Sequence, residues 1–457
     1  MSTIKLIKPS GDTSGATDAA SIQAALNALE QPDRFKVPGT LVLGGQYYIN
    51  TPLVAGNADG WPTSIYGVPH ANINYVGSSG SHYMLTFLGY RGFGKRSLIQ
   101  GCTLNSGWRC RGVQFKHIPH QLLSDGLFLA AFVEVGIDAP SCWCSEIRFT
   151  TITGMLGVGI RAQDFNKGII RGLQMQGYGS HHAAGMYESA STTLWKYEVD
   201  NGKAEAEAKY GTNYIQDWPE VDDTSVTTVG GVVVQTLETQ RAGLQLHGSN
   251  ILLESSTFEG SKYCEYPAIY LMNEGPTGAR NETGLNVMHA LWLESCSNRW
   301  AKIVVQGNEY GGTFVSGLTR IHDVFAVDTT QDNDSCRALV ELRGTTRSVS
   351  VSNIYTTKIG TAVLYAASGT HTDPMVSDAK TYSGGVVRSN WVAKAGGATI
   401  AYSSNNPVHV PVFADATARD AAWATPVAGW SCYLTSPGAV NLYTGSAWVT
   451  LTQDVAP

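Results

Sequence analysis

Three glutamates and one histidine are the residues of this chain whose types and spacing best suit acid–base chemistry. Glu254 and Glu259 lie five positions apart in ILLESSTFEGS, and His289 and Glu294 lie five apart in MHALWLES. Two carboxyl groups held side by side can divide the roles of general acid and general base, because each negative charge raises the pKa of the other. An imidazole can accept a proton near neutral pH. The competing interpretation is that these glutamates are solvated side chains on the outside of a sheet.

The elements that would position these residues come from an internal repeat. Four segments superimpose without gaps: IRFTTIT (147–153), IRGLQMQ (170–176), LESSTFE (253–259) and MHALWLE (288–294). Their first and sixth positions are apolar throughout, their fourth is mixed, and the positions between are mostly polar. The frame extends to IQGCTLN (99–105) and VSNIYTT (351–357). The clear neighbours lie 23 residues apart (148 to 171) and 35 residues apart (254 to 289), and such a spacing is the length of one coil of a parallel β-solenoid.

This register makes specific predictions about the candidate residues. Glu259 and Glu294 should lie outward on adjacent coils, about 4.8 Å apart along the stack. Phe258 and Leu293 should be buried. Three further outward neighbours follow from the same frame: Arg171 beside Glu254, His289 beside Glu254, and Trp292 beside Thr257. We take Trp292 and Arg171 as candidate substrate-binding residues.

Composition sets limits on the class of protein. The chain has 457 residues with 50 glycines, and only 15% of its residues are charged, which favours strands and turns over helices. The net charge is −6 without a Lys/Arg-rich run, so we expect no nucleic-acid partner. The N-terminus shows no signal-peptide pattern, and no apolar run is long enough to cross a membrane. We interpret the eight cysteines as buried free thiols of a protein made in a reducing cytoplasm.

One convincing helix precedes the strands, and the surrounding sequence resembles a known family. In TDAASIQAALNALEQ, Ile22, Ala25, Leu26 and Leu29 share one face, with Thr17 or Asp18 as the expected N-cap. The stretch GDTSGATDAASIQAALNAL followed by KVPGTLVLGGQYYIN resembles the N-terminal signature of pectate-lyase-like right-handed β-helix proteins. Bacteriophage tailspikes and capsule depolymerases often carry this signature. The chain departs from it at Thr13, Ser14 and Gly45-Gln46-Tyr47.

The other end of the chain resembles a small module at the C-termini of phage tail fibres. The matching residues lie in FADATARDAAWATPVAGWSCYLTSPGAVNLYTGSAWVTL (413–451): Arg419, Asp420, Pro426, Gly429, Tyr443, Gly445 and Trp448. We therefore predict an all-β chain in three parts. Residues 1–70 form an N-terminal cap, residues 71–405 form a right-handed parallel β-helix with an insertion at 177–229, and residues 406–457 form the tail module.

The two resemblances imply a phage tailspike that acts on a host surface polysaccharide, either capsule or lipopolysaccharide. They further imply a homotrimer carried on the virion tail beside other tail proteins, assembled in the bacterial cytoplasm. We expect endo-glycoside hydrolysis by paired carboxylates, with no cofactor and no membrane partner. Two alternatives remain: a polysaccharide lyase with His289 as the base and Arg171 neutralising a uronate, and a receptor-binding spike without enzymatic activity.

The irregular stretch at 177–223 offers a rival site. It combines aromatic and acidic residues, of which Trp195, Tyr197 and Trp218 are candidate substrate-binding residues. Its His181-His182 pair lacks a third ligand at a diagnostic spacing, so the sequence predicts no metal.

Overall fold

The computed structural model of the protein describes most of the chain. The described residues are 4–30, 39–56, 62–80, 82–89, 97–132, 135–155, 158–176, 227–229, 232–234, 242–259, 267–273, 285–294, 301–307, 309–310, 313–314, 318–327, 336–356, 359–381, 392–401, 412–422, 431–434, 439–444 and 446–451.

Two long parallel sheets run the length of the described chain. The first has fifteen strands: Ile4–Ile7, Thr40–Ile49, Ser64–Tyr75, Ser97–Asn105, Leu122–Asp125, Phe128–Ala130, Glu146–Arg148, Thr151–Thr153, Ile169–Arg171, Gln174–Gln176, Leu252–Glu259, Leu285–Glu294, Leu318–Val327, Val349–Thr356 and Met375–Thr381. The second has eleven: Leu53–Ala55, Tyr83–Leu88, Arg111–Lys116, Val135–Pro140, Val158–Gln163, Leu244–His247, Ile269–Asn273, Ala301–Gly307, Cys336–Gly344, Ile359–Ala366 and Val392–Lys394. The chain passes back and forth between the two sheets, with some coils contributing two short strands to the first sheet, and this confirms the predicted right-handed parallel β-helix.

The first sheet is folded along a corner. The strand Leu252–Glu259 turns at Ser255, which adopts the left-handed backbone region at φ 52°. The same conformation recurs on the neighbouring coils at Gly101, Gly126, Phe149, Gly172, Ala290, Asp323 and Asn353. Backbone bonds continue through this corner, as where the Gly172 N–H donates to the Glu254 carbonyl at 3.2 Å. Each coil therefore presents two outward surfaces of the first sheet, one on either side of the corner.

The predicted register is confirmed residue by residue. Leu253 pairs with Met288, Glu254 with His289, and Glu259 with Glu294. Phe258 and Leu293 have no exposed surface, so both belong to the core. The mixed fourth column is buried as well, because its hydroxyls bond locally: Ser256 donates to the Glu254 carbonyl at 3.0 Å, and Thr150 donates to the Arg148 carbonyl at 3.0 Å.

The N-terminal helix spans Ala16–Leu29 and covers the open end of the core. The four residues predicted to form its inner face are at most 4% exposed: Ile22, Ala25, Leu26 and Leu29. The predicted N-cap at Thr17 or Asp18 is wrong. Gly15 occupies that position at φ 82°, and Asp12 accepts the Thr17 N–H from the preceding turn at 3.0 Å. Asp18 is instead buried and accepts two backbone N–H groups from outside the helix.

A polar cluster marks the outer face of the second sheet. The Asp138 carboxylate accepts a hydrogen bond from Arg161 Nε at 2.9 Å, and it also bonds Tyr83 and Gln114. Burial raises the pKa of Asp138, but the hydrogen bond and charge of Arg161 outweigh burial, so the pKa lies below its usual value.

The remaining described elements are short. They comprise the helix Ala416–Ala422 and the small-sheet strands Thr227–Val229, Val232–Val234, Glu309–Tyr310, Thr313–Phe314, Thr346–Arg347, Thr370–Thr372, Thr399–Ala401, Val412–Phe413, Ser431–Leu434, Ala439–Tyr443 and Trp448–Leu451. Near the C-terminus, Arg419 lies over the Trp448 ring at 4.4 Å. Cys102, Cys110 and Cys142 are buried free thiols as predicted, and burial raises the pKa of each to about 12, whereas Cys144 is free but only half-buried. Among the described residues, no helix is long and apolar enough to cross a bilayer.

Candidate active site on the corner of the first sheet

Glu259 and Glu294 are direct partners on adjacent strands, and both side chains face outward. The rung spacing of a parallel sheet places their backbones about 4.8 Å apart. Each carboxylate is held by a different donor: Gln176 Nε2 reaches Glu259 Oε2 at 3.0 Å, and Trp292 Nε1 reaches Glu294 Oε2 at 3.0 Å. Both side chains are half-buried, which leaves them accessible to a bound molecule.

Three aromatic side chains follow one another beside this pair. Trp292, Phe325 and Tyr355 occupy the same outward position on three successive coils, and we refer to them as the aromatic row. The Trp292 and Phe325 rings are 4.5 Å apart at an interplanar angle of 31°. Trp292 is 42% exposed and Tyr355 is 39% exposed. An exposed row of rings offers stacking surface to a flat apolar face such as that of a pyranose ring.

Across the corner runs a chain of ion pairs. Glu146 is only 1% exposed, and its carboxylate accepts hydrogen bonds from Arg148 Nε at 2.6 Å and from Arg148 Nη2 at 2.8 Å. Its Oε1 also lies 3.2 Å from Arg171 Nε. Arg171 Nε also lies 3.1 Å from Glu254 Oε1, and Glu254 Oε2 lies 3.2 Å from His289 Nε2. The charge of Arg171 is therefore shared between two carboxylates.

The chain of ion pairs continues beyond His289 to a second imidazole, that of His322. The His289 and His322 rings are stacked with centroids 5.1 Å apart and planes within 6° of parallel. His322 Nδ1 lies 2.7 Å from Asp323 Oδ2, and Asn353 donates a hydrogen bond to the other oxygen of Asp323. The amide of Asn353, followed by His322, lowers the pKa of the exposed Asp323 carboxyl.

The structure thus brings six of the nine predicted site residues together around the corner of the first sheet: Arg171, Glu254 and His289 on one side of it, and Glu259, Trp292 and Glu294 on the other. Trp195, Tyr197 and Trp218 lie outside the described residues. The sequence interpretation missed Phe325, His322 and Asp323, because the coil IHDVFAV (321–327) was not aligned to the repeat. The same frame fits it, since Ile321, Val324 and Ala326 are buried at the three inward positions. Tyr355 lay in an aligned segment, two residues before its end, without being singled out.

Comparison with known proteins finds relatives by structure alone. No known protein family matches the sequence, and no curated protein matches it. An alginate lyase from Paenibacillus sp. str. FPU-7 is 12% identical, with 87% of this chain and 99% of that chain aligned at a TM-score of 0.41. Tailspike protein 3 of bacteriophage CBA120 is 10% identical, with 96% and 67% aligned at a TM-score of 0.34. A variant of the tailspike of the E. coli bacteriophage HK620 is 10% identical, with 86% and 66% aligned at a TM-score of 0.41. These structural neighbours thus include tailspikes and a polysaccharide-degrading enzyme.

Proposed function

We propose that this protein is a tailspike subunit that binds a bacterial surface polysaccharide along the corner of its first sheet and hydrolyses it. The observation that carries the proposal is the placement of Glu259 and Glu294 on adjacent rungs directly beside the exposed aromatic row. Most glycoside hydrolases use two carboxyl groups that flank the glycosidic bond. Aromatic rings next to them provide the surface on which sugar rings can be held in position.

The roles of the two glutamates follow from this arrangement. One carboxyl group protonates the leaving oxygen, while the other attacks the anomeric carbon or activates water. A spacing of one rung suits a retaining pair, whose carboxyl groups lie about 5 to 5.5 Å apart. Trp292 serves the site in two ways. Its indole N–H holds Glu294, and its exposed ring offers a surface to the substrate.

The ion pairs of Arg171 favour hydrolysis over elimination. A lyase needs a cation to neutralise the uronate carboxylate before a base removes the adjacent proton. Arg171 already meets Glu146 and Glu254 at 3.2 Å and 3.1 Å, so its charge is compensated within the protein. His289 is likewise engaged by Glu254.

We further propose that the chain works as a homotrimer on the virion tail, in contact with other tail proteins.

The test is to incubate the purified chain with panels of capsular polysaccharides and lipopolysaccharides and to measure reducing ends and ultraviolet absorbance. Hydrolysis releases reducing ends without unsaturated products. We expect Glu259→Gln and Glu294→Gln each to lower the turnover number by about 10² to 10⁴. Asp164→Asn serves as the control, because Asp164 is an exposed carboxylate that directly follows the second-sheet strand Val158–Gln163. This substitution should leave the turnover number unchanged.

Three outcomes separate the alternatives. Unsaturated products would show that the reaction is elimination rather than hydrolysis, with His289 as the candidate base. Retention of the polysaccharide without cleavage would identify a receptor-binding spike. Full activity in both Glu→Gln variants would show that the pair has no catalytic role.

A further inference from the structure

The imidazole stack beside the aromatic row has a donor set that the hydrolytic proposal does not use. His289, His322 and Asp323 each offer a ligand atom, and these atoms lie within 4.8 Å of one another. Glu254 stands behind His289 on the preceding rung. We propose that these residues form a binding site for a divalent transition-metal ion of the Zn²⁺ class, contrary to the prediction from sequence that the chain binds no metal.

The chemistry of the donors selects the class of ion. Two imidazoles suit Zn²⁺, Ni²⁺ or Cu²⁺, whereas Ca²⁺ and Mg²⁺ prefer sites made of oxygen ligands. The Glu254 oxygen at 3.2 Å from His289 Nε2 forms the carboxylate–histidine contact that commonly orients a metal-binding imidazole. In this arrangement His289 Nδ1 is the nitrogen left to coordinate the ion.

The geometry shows what must move when the ion binds. The two imidazole planes are nearly parallel, and the lone pair of each nitrogen lies in its ring plane, so the rings cannot both point at one ion as they stand. The His289 side chain is 29% exposed and the His322 side chain is 35% exposed, and both lie on an outward surface. Rotation of each ring about its Cβ–Cγ bond is soft. Both rings must rotate for one nitrogen of each to reach the Zn–N distance of about 2.0 to 2.1 Å from a shared ion.

The backbone under the site needs no rearrangement. Glu254, His289 and His322 share one outward column on three successive coils, and each is fixed by parallel pairing with the next. Asp323 follows at the corner in the left-handed backbone region, and its Oδ2 lies 2.7 Å from His322 Nδ1. Asp323 is the most exposed of the four residues, so a further coordination position faces outward, toward water or an oxygen of a bound sugar.

The experiment uses the full chain, purified without a histidine tag and treated with a chelator. Zn²⁺ is titrated in by calorimetry, and Co²⁺ is titrated in by visible absorption. We expect one ion per chain at micromolar affinity. His289→Asn and His322→Asn should each weaken binding at least tenfold, equivalent to about 1.4 kcal/mol. Glu254→Gln should weaken it less, since this residue acts through His289.

Two controls keep the result specific. His70→Asn changes an exposed histidine whose partner is Thr103, and should leave affinity unchanged. A variant with both His181→Asn and His182→Asn tests the pair in the irregular stretch. The proposal is overturned if no ion binds below about 0.1 mM. It is equally overturned if affinity follows His181 and His182 while both substitutions in the stack are silent. Neither result bears on hydrolysis, because metal binding is measured without substrate.

Discussion

Glu146 provides the sharpest test of how the charged surface is held. Its carboxylate is 1% exposed and is met by Arg148 through two hydrogen bonds and by Arg171 at 3.2 Å. Both arginines keep more than a third of their side chains in water, at 35% and 37%. The cost of removing either one is therefore discounted, since water can partly replace it.

The two arginines should not contribute independently. Arg171→Met leaves both bonds from Arg148 in place and should cost about 1 kcal/mol, near the upper end for an exposed pair. Arg148→Met removes the bidentate partner and should cost about 2 kcal/mol. The double variant removes both arginines from a buried carboxylate, and breaking a buried ion pair costs about 3 to 5 kcal/mol. We expect about 5 kcal/mol, which is about 2 more than the sum of the single changes.

The assay is urea unfolding at fixed protein concentration, with a double-mutant cycle repeated in a Glu146→Gln background. With an uncharged residue at position 146, the coupling between the arginines should fall below about 0.5 kcal/mol. An additive double variant would refute the reasoning. So would a coupling that survives Glu146→Gln, since the arginines would then be linked through some other group.

Three further predictions concern other parts of the fold. Gly15→Ala should destabilise by roughly 3 kcal/mol in urea unfolding, because the left-handed backbone penalises a Cβ and that atom would lie 2.7 Å from Asn50 N. Phe258→Ala should cost about 3 to 5 kcal/mol in the same assay, because it empties a fully buried site. Asp138→Asn should destabilise at pH 7, and the difference from the parent should vanish as the pH falls. The pKa of Asp138 is lowered in the folded state by Arg161, so its stabilisation is complete above about pH 4 and is lost as pH drops through the folded value.

Matched variants isolate each cause. Gly11→Ala tests the backbone penalty alone, because Gly11 has φ 79° and nothing within 4 Å of an added Cβ. If Gly11→Ala costs as much as Gly15→Ala, the close approach to Asn50 is irrelevant. Phe258→Leu preserves most of the buried volume and should cost less than half as much as Phe258→Ala. An Asp138→Asn effect that stays constant between pH 7 and pH 3 would contradict the ionic explanation.

The register of the coils could be predicted from sequence because side chains alternate between core and solvent on either side of the corner. Phe258 and Glu259 are neighbours with opposite environments, and a slip of one residue would have exchanged them. The helix face containing Ile22 and Leu26 was predictable for the same reason, since its period is regular. Both predictions rest on local patterns that the fold repeats.

What could not be predicted depends on residues far apart in the chain. Nothing near Glu146 indicates burial, because the cations that cover it include Arg171 from the next coil. The imidazole stack forms only because His322 on the next coil stands in register with His289. The helix start was misplaced because Gly15 and Asp12 cap the helix through backbone conformation and the preceding turn. The charged surface is thus a product of stacking, which the sequence describes only once every coil has been aligned.

The pairing of strands between neighbouring coils does not depend on the length of chain that connects them. From Thr153 the chain reaches the next strand of the second sheet at Val158, whereas from Gln176 it returns only at Leu244. Gln176 nevertheless pairs in register with Glu259. Closing the longer connection costs only about 2.5 kcal/mol more, because loop entropy grows with the logarithm of length. A segment at this point can therefore be exchanged for another of different length or origin without a change in the stacking of the coils on either side of it.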